Sequence, residues 1–155
     1  MGLVERAAAV IPASLLVRMR SLSWRHPQMK RIVGFLAKSL RGHDGTIQRG
    51  IGQGLRFNTG ASEASFLLGV SKPHLQRALE EALHPNSIFY DIGANVGFFS
   101  VIGARLVGGD GRVIAFEPLS TNAEMIERNA AANEFLNIGV MRFALGRHDG
   151  KARFM

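Results

Sequence analysis

Residues 91–98 (DIGANVGF) constrain the fold more than any other part of the sequence. They follow a short apolar run over residues 87–92 that is typical of a buried strand, and they lead into residues 96–106, which have the apolar spacing of a helix. Gly93 stands where the chain must turn sharply, and a side chain there would obstruct both the turn and a bound ligand. Gly97 opens the helix and would let it pack close to the strand. The segment therefore predicts a strand, a tight turn and a helix.

The chain beyond this segment alternates strand-like and helix-like runs. Residues 112–116 (RVIAF) and 137–145 predict two more strands, and residues 151–155 the start of a fourth. Residues 121–132 predict a helix with Ser120 or Thr121 as its N-cap, and residues 72–83 an amphipathic helix. Asn122, Asn129 and Asn133 are expected on the surface of the first of these helices or in its caps. Short apolar strands that alternate with helices predict an α/β fold, a doubly wound and mostly parallel sheet with right-handed crossovers.

The N-terminal third differs in composition from the rest of the chain. Residues 1–50 hold nine basic residues (Lys and Arg) and two acidic residues (Asp and Glu), whereas residues 51–155 hold ten basic and ten acidic residues. The net charge of +7 therefore lies in the N-terminal part. Residues 1–41 have helical spacing, and the glycine-rich residues 42–60 predict a loop with a short hairpin around residues 55–57. We therefore predict a basic helical extension and linker over residues 1–53, and an α/β domain over residues 54–155.

Composition limits what the chain can do. The sequence has no cysteine, which excludes disulfides, zinc-thiolate sites and a thiol nucleophile and fits a cytoplasmic location. Residues 7–17, the longest N-terminal apolar stretch, are shorter than the ~20 residues of a membrane span and are interpreted as a helix rather than an export signal. The basic residues 1–50 predict either a solvated helix face or a contact with an acidic partner or an anionic membrane surface. Few aromatic side chains lie among these charges, so no nucleic-acid partner is expected.

Two carboxylates are expected at the crevice that forms at the carboxyl ends of parallel strands. Glu117 follows the second strand, where its carboxylate can accept hydrogen bonds from both hydroxyls of a ribose. Asp91 lies near the end of the first strand and can orient a ligand ammonium group. Together they favour a molecule with a cationic amino-acid end and a nucleoside end. The five histidines lack metal-type spacing, so we expect no metal site and no histidine base.

Two phosphate-binding alternatives fit the sequence less well. The nicotinamide-dinucleotide fingerprint G-x-G-x-x-G has a glycine where this chain has Asn95, and Asp91 would repel a pyrophosphate. A Walker-type loop needs Gly-Lys-Ser/Thr, whereas Gly97 is followed by two phenylalanines. An NAD(P)-binding oxidoreductase is therefore the weaker alternative to a methyl-donor site.

The stretch FYDIGANVGFFSVIGARLVGGDGRVIAFEPLSTNAEMIERNAAANEFLNI resembles the FkbM-type methyltransferases, a branch of the class I enzymes, and the resemblance extends over about residues 54–155. DIGANVG followed by AFEP at this spacing carries the resemblance. It implies a Rossmann-like, doubly wound sheet and S-adenosylmethionine as the methyl donor. It also implies O-methylation of a hydroxyl on a sugar or secondary metabolite, so the expected acceptor is a small molecule or a glycan.

The resemblance also implies a set of cofactor-binding residues. The loop around the methionine part of the donor would consist of Asp91, Gly93, Ala94, Asn95, Gly97 and Phe98. Glu117 would hold the ribose, Pro118 would shape the adenine side, and Ala144 and Leu145 would flank the adenine. The side chains of Phe98, Phe99 and Phe116 are expected in the core rather than at a ligand, and of the three Phe98 is the strongest candidate for a ligand contact. No residue is assigned as the catalytic base.

The chain departs from the family pattern in two places. Many relatives have a Tyr-Glu pair where this chain has Ser71 and Lys72. The family's sheet also continues beyond the third or fourth strand, so we expect the chain to be incomplete at its C-terminus, with an uncovered strand edge that favours self-association. The alternative of a different class is a non-catalytic module that docks through its basic residues 1–50.

Overall fold

The computed structural model of the protein describes residues 42, 44–63 and 65–151. The predicted helical extension over residues 1–41 lies outside them, as does all but the first residue of the predicted fourth strand. The described elements, in chain order, are β1 (Asp44–Thr46), β2 (Arg56–Asn58), α1 (Ser65–Leu68), α2 (Pro73–Ala82), β3 (Ile88–Ile92), α3 (Phe98–Val107), β4 (Arg112–Phe116), α4 (Ser120–Ala132) and β5 (Ile138–Met141).

The central feature is a parallel sheet in the order β3-β4-β5, so each strand lies beside the next one along the chain. Parallel neighbours need crossover connections, and α3 and α4 supply them. In the register of the sheet, Asp91 is opposite Ala115 and Ala115 is opposite Val140. The predicted α/β class is confirmed, as a partial Rossmann-like fold.

One face of the sheet is buried beneath the two crossover helices. Val113 and Ala115 of β4 are 0% exposed, and Ala115 packs with Ile126 of α4. A glycine on α3 allows a close approach to β3, because a Cβ on Gly103 would stand 2.5 Å from the Phe89 ring. Gly97 was predicted to let the helix pack close to the strand, but its neighbour in the structure is Ile126 of α4. A Cβ on Gly97 would lie 3.1 Å from the Ile126 side chain, so the glycine allows α4 to approach.

The opposite face of the sheet is open in the described part of the chain. Ile88, Tyr90 and Ile92 of β3 are 60%, 56% and 64% exposed. Tyr90 stacks on Phe116, with ring centroids 6.3 Å apart. The second edge of β3 has no strand partner among the described residues, and the predicted self-association at this edge stays a prediction.

The N-terminal hairpin is held against α4 by side-chain amides. β1 and β2 pair in antiparallel fashion and lie on either side of the predicted domain boundary at residues 53 and 54, which stays a prediction. Asn129 accepts from the Asn58 N–H (2.8 Å) and donates to the Asn58 carbonyl (3.0 Å). Asn133 does the same for Arg56, at 2.8 and 2.7 Å. The two amides thus act as a neighbouring strand would. We expected both asparagines on the helix surface or in caps, which is wrong for Asn129, 1% exposed.

Several predicted boundaries differ from the structure, among them the start of α3, at Phe98 rather than at residue 96. The third strand ends at Met141 rather than at residue 145. The N-cap of α4 is Leu119, without a side-chain hydrogen bond, rather than Ser120 or Thr121. The reason is local: the Glu117 carboxylate accepts the Leu119 N–H at 3.0 Å and so fixes the entry to the helix. No helix within the described residues has the length and apolar character needed to cross a membrane.

Candidate functional site

A cleft of about 420 Å³ opens at the carboxyl ends of β3 and β4, where the loops that lead to α3 and α4 meet. Six of the predicted cofactor-binding residues line it, namely Gly93, Asn95, Glu117, Pro118, Ala144 and Leu145. Four further residues line it that were not predicted for the site, namely Ile92, Phe116, Leu119 and Asn122. In open α/β folds, ligands usually bind at the carboxyl ends of the parallel strands, where the loops lead into the helices.

Glu117 connects the two loops of the cleft. Its side chain is 6% exposed. One carboxylate oxygen accepts the Asn95 N–H at 2.9 Å, and the other accepts the Leu119 N–H at 3.0 Å. A carboxylate has about four acceptor positions on its two oxygens. The oxygen that binds Leu119 also accepts the Asn122 amide at 3.5 Å, so the remaining acceptor capacity lies on the oxygen that binds Asn95. The hydrogen bonds hold Glu117 in a fixed orientation at the cleft wall.

Asn95 is fixed in an unusual backbone conformation at the same point. Its φ of 52° lies in the left-handed region, which Asn tolerates better than most non-glycine residues. Its N–H is bound by Glu117, and its side-chain oxygen accepts the Ser62 hydroxyl at 3.0 Å. Backbone and side chain are thus restrained from two different parts of the chain.

Gly93 forms the turn out of β3, as the sequence predicts. Its φ is 74°, and the N–H groups of Gly93 and Ala94 both donate to the Phe116 carbonyl, at 3.0 and 3.1 Å. No atom lies within 4 Å of the position that a Cβ on Gly93 would occupy. The space beside this turn is therefore open, and a side chain at residue 93 would project into it.

Asp91 lies beneath the cleft and does not line it. Its carboxylate accepts the Ser100 hydroxyl at 2.6 Å and ties β3 to the first turn of α3. Burial raises the pKa of Asp91, and the hydrogen bond from Ser100 and the charge of Lys72 oppose this rise in part. The carboxylate therefore joins the strand to the helix in this structure, and its predicted contact with a ligand stays a prediction.

Three other predicted residues lie below the cleft surface. The Phe98 side chain is 2% exposed and stacks on Phe66 with centroids 4.7 Å apart, as expected for a core phenylalanine. Ala94 packs against Ala115 and Ile126, and Gly97 is buried against the same isoleucine. Because the start of α3 faces inward, its side chains join the core. Contact of Phe98 with a ligand could come from its backbone only.

Sequence patterns gave no sign of some of the site's residues. Ser62 belongs to the loop after β2, 33 residues before Asn95, and no motif includes it. Asn122, expected on the helix surface or in a cap, donates to Glu117 at 3.5 Å. Its position five residues after Glu117, just inside the predicted helix, is the sequence feature that could have indicated this contact. Among the described residues, no group of three or more His, Asp or Glu side chains is arranged to hold a metal ion.

Comparison with known proteins supports a methyltransferase. Protein-L-isoaspartate O-methyltransferase 2 of Arabidopsis thaliana is 31% identical to this chain over 90 residues, which cover 53% of this chain and 28% of the relative. The chain thus spans less than a third of the length of that relative. A crystal structure described as an rRNA methylase from Clostridium thermocellum matches with a TM-score of 0.43 and 14% identity, over 44% of this chain and 37% of that chain.

No protein-family model matches the sequence, so the FkbM resemblance stays a prediction. The comparisons support a less specific statement. The chain is similar in sequence to a methyltransferase, and it has part of the Rossmann-like fold that class I methyltransferases use.

Proposed function

We propose that this chain carries the donor-binding half of an S-adenosylmethionine-dependent methyltransferase of FkbM type. One observation carries the proposal: the motifs that follow two consecutive strands meet at one cleft, where the Glu117 carboxylate accepts the N–H of Asn95, 22 residues away, at 2.9 Å. The sequence similarity to a methyltransferase supports the same class.

The residues of the cleft fit the parts of the donor. Glu117 is held by two backbone N–H groups, so the two ribose hydroxyls would meet a carboxylate that is already oriented. The open space at Gly93 suits the amino-acid part, which must pass close to the backbone. Leu119 and Leu145 are 45% and 50% exposed and offer apolar surface to the adenine. The bound donor supplies an electrophilic sulfonium methyl group, and this chain's residues bind and orient it.

The proposed acceptor is a hydroxyl on a sugar or another small secondary metabolite. The resemblance to the FkbM-type enzymes supports this substrate class, and the residues of the donor cleft leave the acceptor side without an assigned base. The transfer needs an acceptor oxygen aligned with the bond between sulfur and the methyl carbon, a task of positioning more than of proton transfer.

Calorimetric titration of the purified chain with S-adenosylmethionine and S-adenosylhomocysteine tests the proposal. Both should bind, whereas NAD⁺ and NADP⁺ should give no heat. Glu117→Ala should weaken binding of S-adenosylhomocysteine by about 1–3 kcal/mol, because the ribose loses a charged acceptor. Glu80→Ala is the matched control, since this carboxylate is exposed on α2, away from the cleft.

A second ligand separates a ribose contact from a general disturbance of the loops. The 2′-deoxy analogue of S-adenosylhomocysteine should bind the wild type more weakly than the parent compound does, and this difference should shrink in Glu117→Ala. Absence of heat with both methyl-donor ligands, from protein whose circular dichroism shows a folded chain, would refute the proposal.

A further inference from the structure

The amide of Asn95 has a fixed orientation because a residue outside both motifs holds it. The Ser62 hydroxyl donates to the amide oxygen at 3.0 Å. Ser62 is itself fixed at the end of a tight turn, in which its N–H donates to the Thr59 carbonyl at 2.8 Å. That turn follows directly on β2, which Asn129 ties to α4. The hydroxyl is therefore placed by the fold of the N-terminal hairpin.

Fixing the oxygen also fixes the nitrogen of the amide. Asn95 lines the cleft, and no acceptor for its side-chain N–H groups is present among the described residues. Rotation of the backbone is restricted by the φ of 52° and by the hydrogen bond of the Asn95 N–H to Glu117. The amide nitrogen, on the side away from Ser62, therefore holds two N–H donors available to a ligand.

A pair of fixed N–H donors recognises a carboxylate. The donor's amino-acid end carries one. The Asp91 carboxylate, which accepts the Ser100 hydroxyl below the cleft, does not line the cleft surface. We propose that Ser62 is a positioning residue of the donor site, whose hydroxyl orients the Asn95 amide so that its N–H groups bind the carboxylate of the donor's amino-acid end. This inference rests on the proposed function of the cleft.

The test compares two ligands that differ at the amino-acid end. S-adenosylhomocysteine carries the carboxylate, and 5′-methylthioadenosine has the same nucleoside and sulfur without it. In calorimetric titrations of the full chain, Ser62→Ala should weaken S-adenosylhomocysteine binding about three- to tenfold and leave 5′-methylthioadenosine binding unchanged. Ser62→Thr, which keeps the hydroxyl, should restore the affinity. Ser65→Ala is the matched control, because that hydroxyl binds Glu63 and not the cleft.

A double-mutant cycle tests the route through Asn95 with S-adenosylhomocysteine alone. If Ser62 acts through the amide, Ser62→Ala should have no further effect in an Asn95→Ala background. Equal weakening of both ligands by Ser62→Ala, unchanged affinity in that variant, or additive effects in the cycle would each overturn the assignment. Failure of the wild type to bind either ligand would instead refute the proposed function, so the two failures are distinguishable.

Discussion

The two faces of the parallel sheet carry similar side chains but have different surroundings. Beneath α3 and α4, Val113 and Ala115 are inaccessible to solvent, whereas on the other face Ile88 and Ile92 keep more than half of their surface exposed. Near-continuous apolar strands are typical of parallel sheets that are covered on both faces. The apolar composition of these strands therefore indicates that both faces suit burial. Which face is covered depends on where the helices pack.

The open face is a continuous apolar surface. Tyr90, Phe116 and Phe143 form an aromatic row across it, with ring centroids 6.3 and 5.6 Å apart along the row. Exposed apolar patches of this kind are sites of association in soluble proteins. The difference between the faces should thus appear as a difference in what each contributes to the stability of the isolated chain.

The largest expected effect comes from the same truncation made on each side. Ile126→Ala removes a fully buried side chain that packs on Ala115 and fills the space beside Gly97, and it should lower the free energy of unfolding by about 2–5 kcal/mol. Ile88→Ala, on the open face, should change it by less than about 0.5 kcal/mol. Urea denaturation followed by circular dichroism measures both.

Comparable losses in the two variants would contradict the comparison between the faces. Repeating the Ile88→Ala measurement over a range of protein concentrations identifies one cause. If copies of the chain cover this face in solution, the loss should grow with concentration, since association stabilises the folded state by mass action.

The next effect concerns the attachment of the hairpin on the covered side. Asn129→Ala leaves the N–H and carbonyl of Asn58 and the Val96 carbonyl without their amide partner, at a buried position. Unfolding free energy should fall by about 1–3 kcal/mol, because buried polar groups lose hydrogen bonds that water cannot replace. Thermal unfolding monitored by circular dichroism measures the loss.

Asn133→Ala is the matched comparison for the contact that Asn129 makes with the backbone of Asn58. It removes the same kind of bidentate contact, but to Arg56 at an exposed position, where water can satisfy the freed groups. Its effect should be smaller than that of Asn129→Ala. A larger loss of stability in Asn133→Ala than in Asn129→Ala would mean that burial of the amide does not decide how much these contacts stabilise the fold.

Sequence reasoning succeeded where local chemistry decides the structure. The bounds of β4, residues 112–116, were predicted without error, and the turn at Gly93 has the positive φ that a glycine there indicates. Glu117 was predicted at the crevice and lines the cleft. These features depend on apolar runs and turn residues that a short window of sequence contains.

The remaining features depend on contacts between distant segments. Asn129 binds Asn58 across 71 residues, and nothing near Asn129 distinguishes it from a surface asparagine of an amphipathic helix. Phe98 begins a helix beside the cleft, and its partners in the core, Phe66 and Phe57, come from a distant part of the chain. The hydroxyl of Ser62 is brought to Asn95 by the loop that follows the hairpin, 33 residues earlier in the chain. Pattern within a segment cannot reveal such partners.

The smallest expected effect is a pH dependence carried by Asp91, which lies on the covered side of β3 beside the exposed Ile92. Burial raises the pKa of Asp91 in the folded protein above its ordinary value of 3.8, so the folded state holds this proton to higher pH than the unfolded state does. The stability that this group contributes is therefore fully present below pH 3.8 and is lost as pH rises through the raised pKa.

Denaturation of the wild type and of Asp91→Asn between about pH 4 and pH 7 measures this contribution as the difference between the two proteins. The wild type should lose stability relative to Asp91→Asn as pH rises, because the variant stays neutral throughout. Ser100→Ala removes a hydrogen bond that lowers the pKa of Asp91, so it should extend the loss to higher pH. If the difference in stability between wild type and Asp91→Asn does not change with pH, the pKa of Asp91 is not raised in the folded protein. The covered side of β3 would then leave this carboxylate exposed to water, as the open face leaves Ile92.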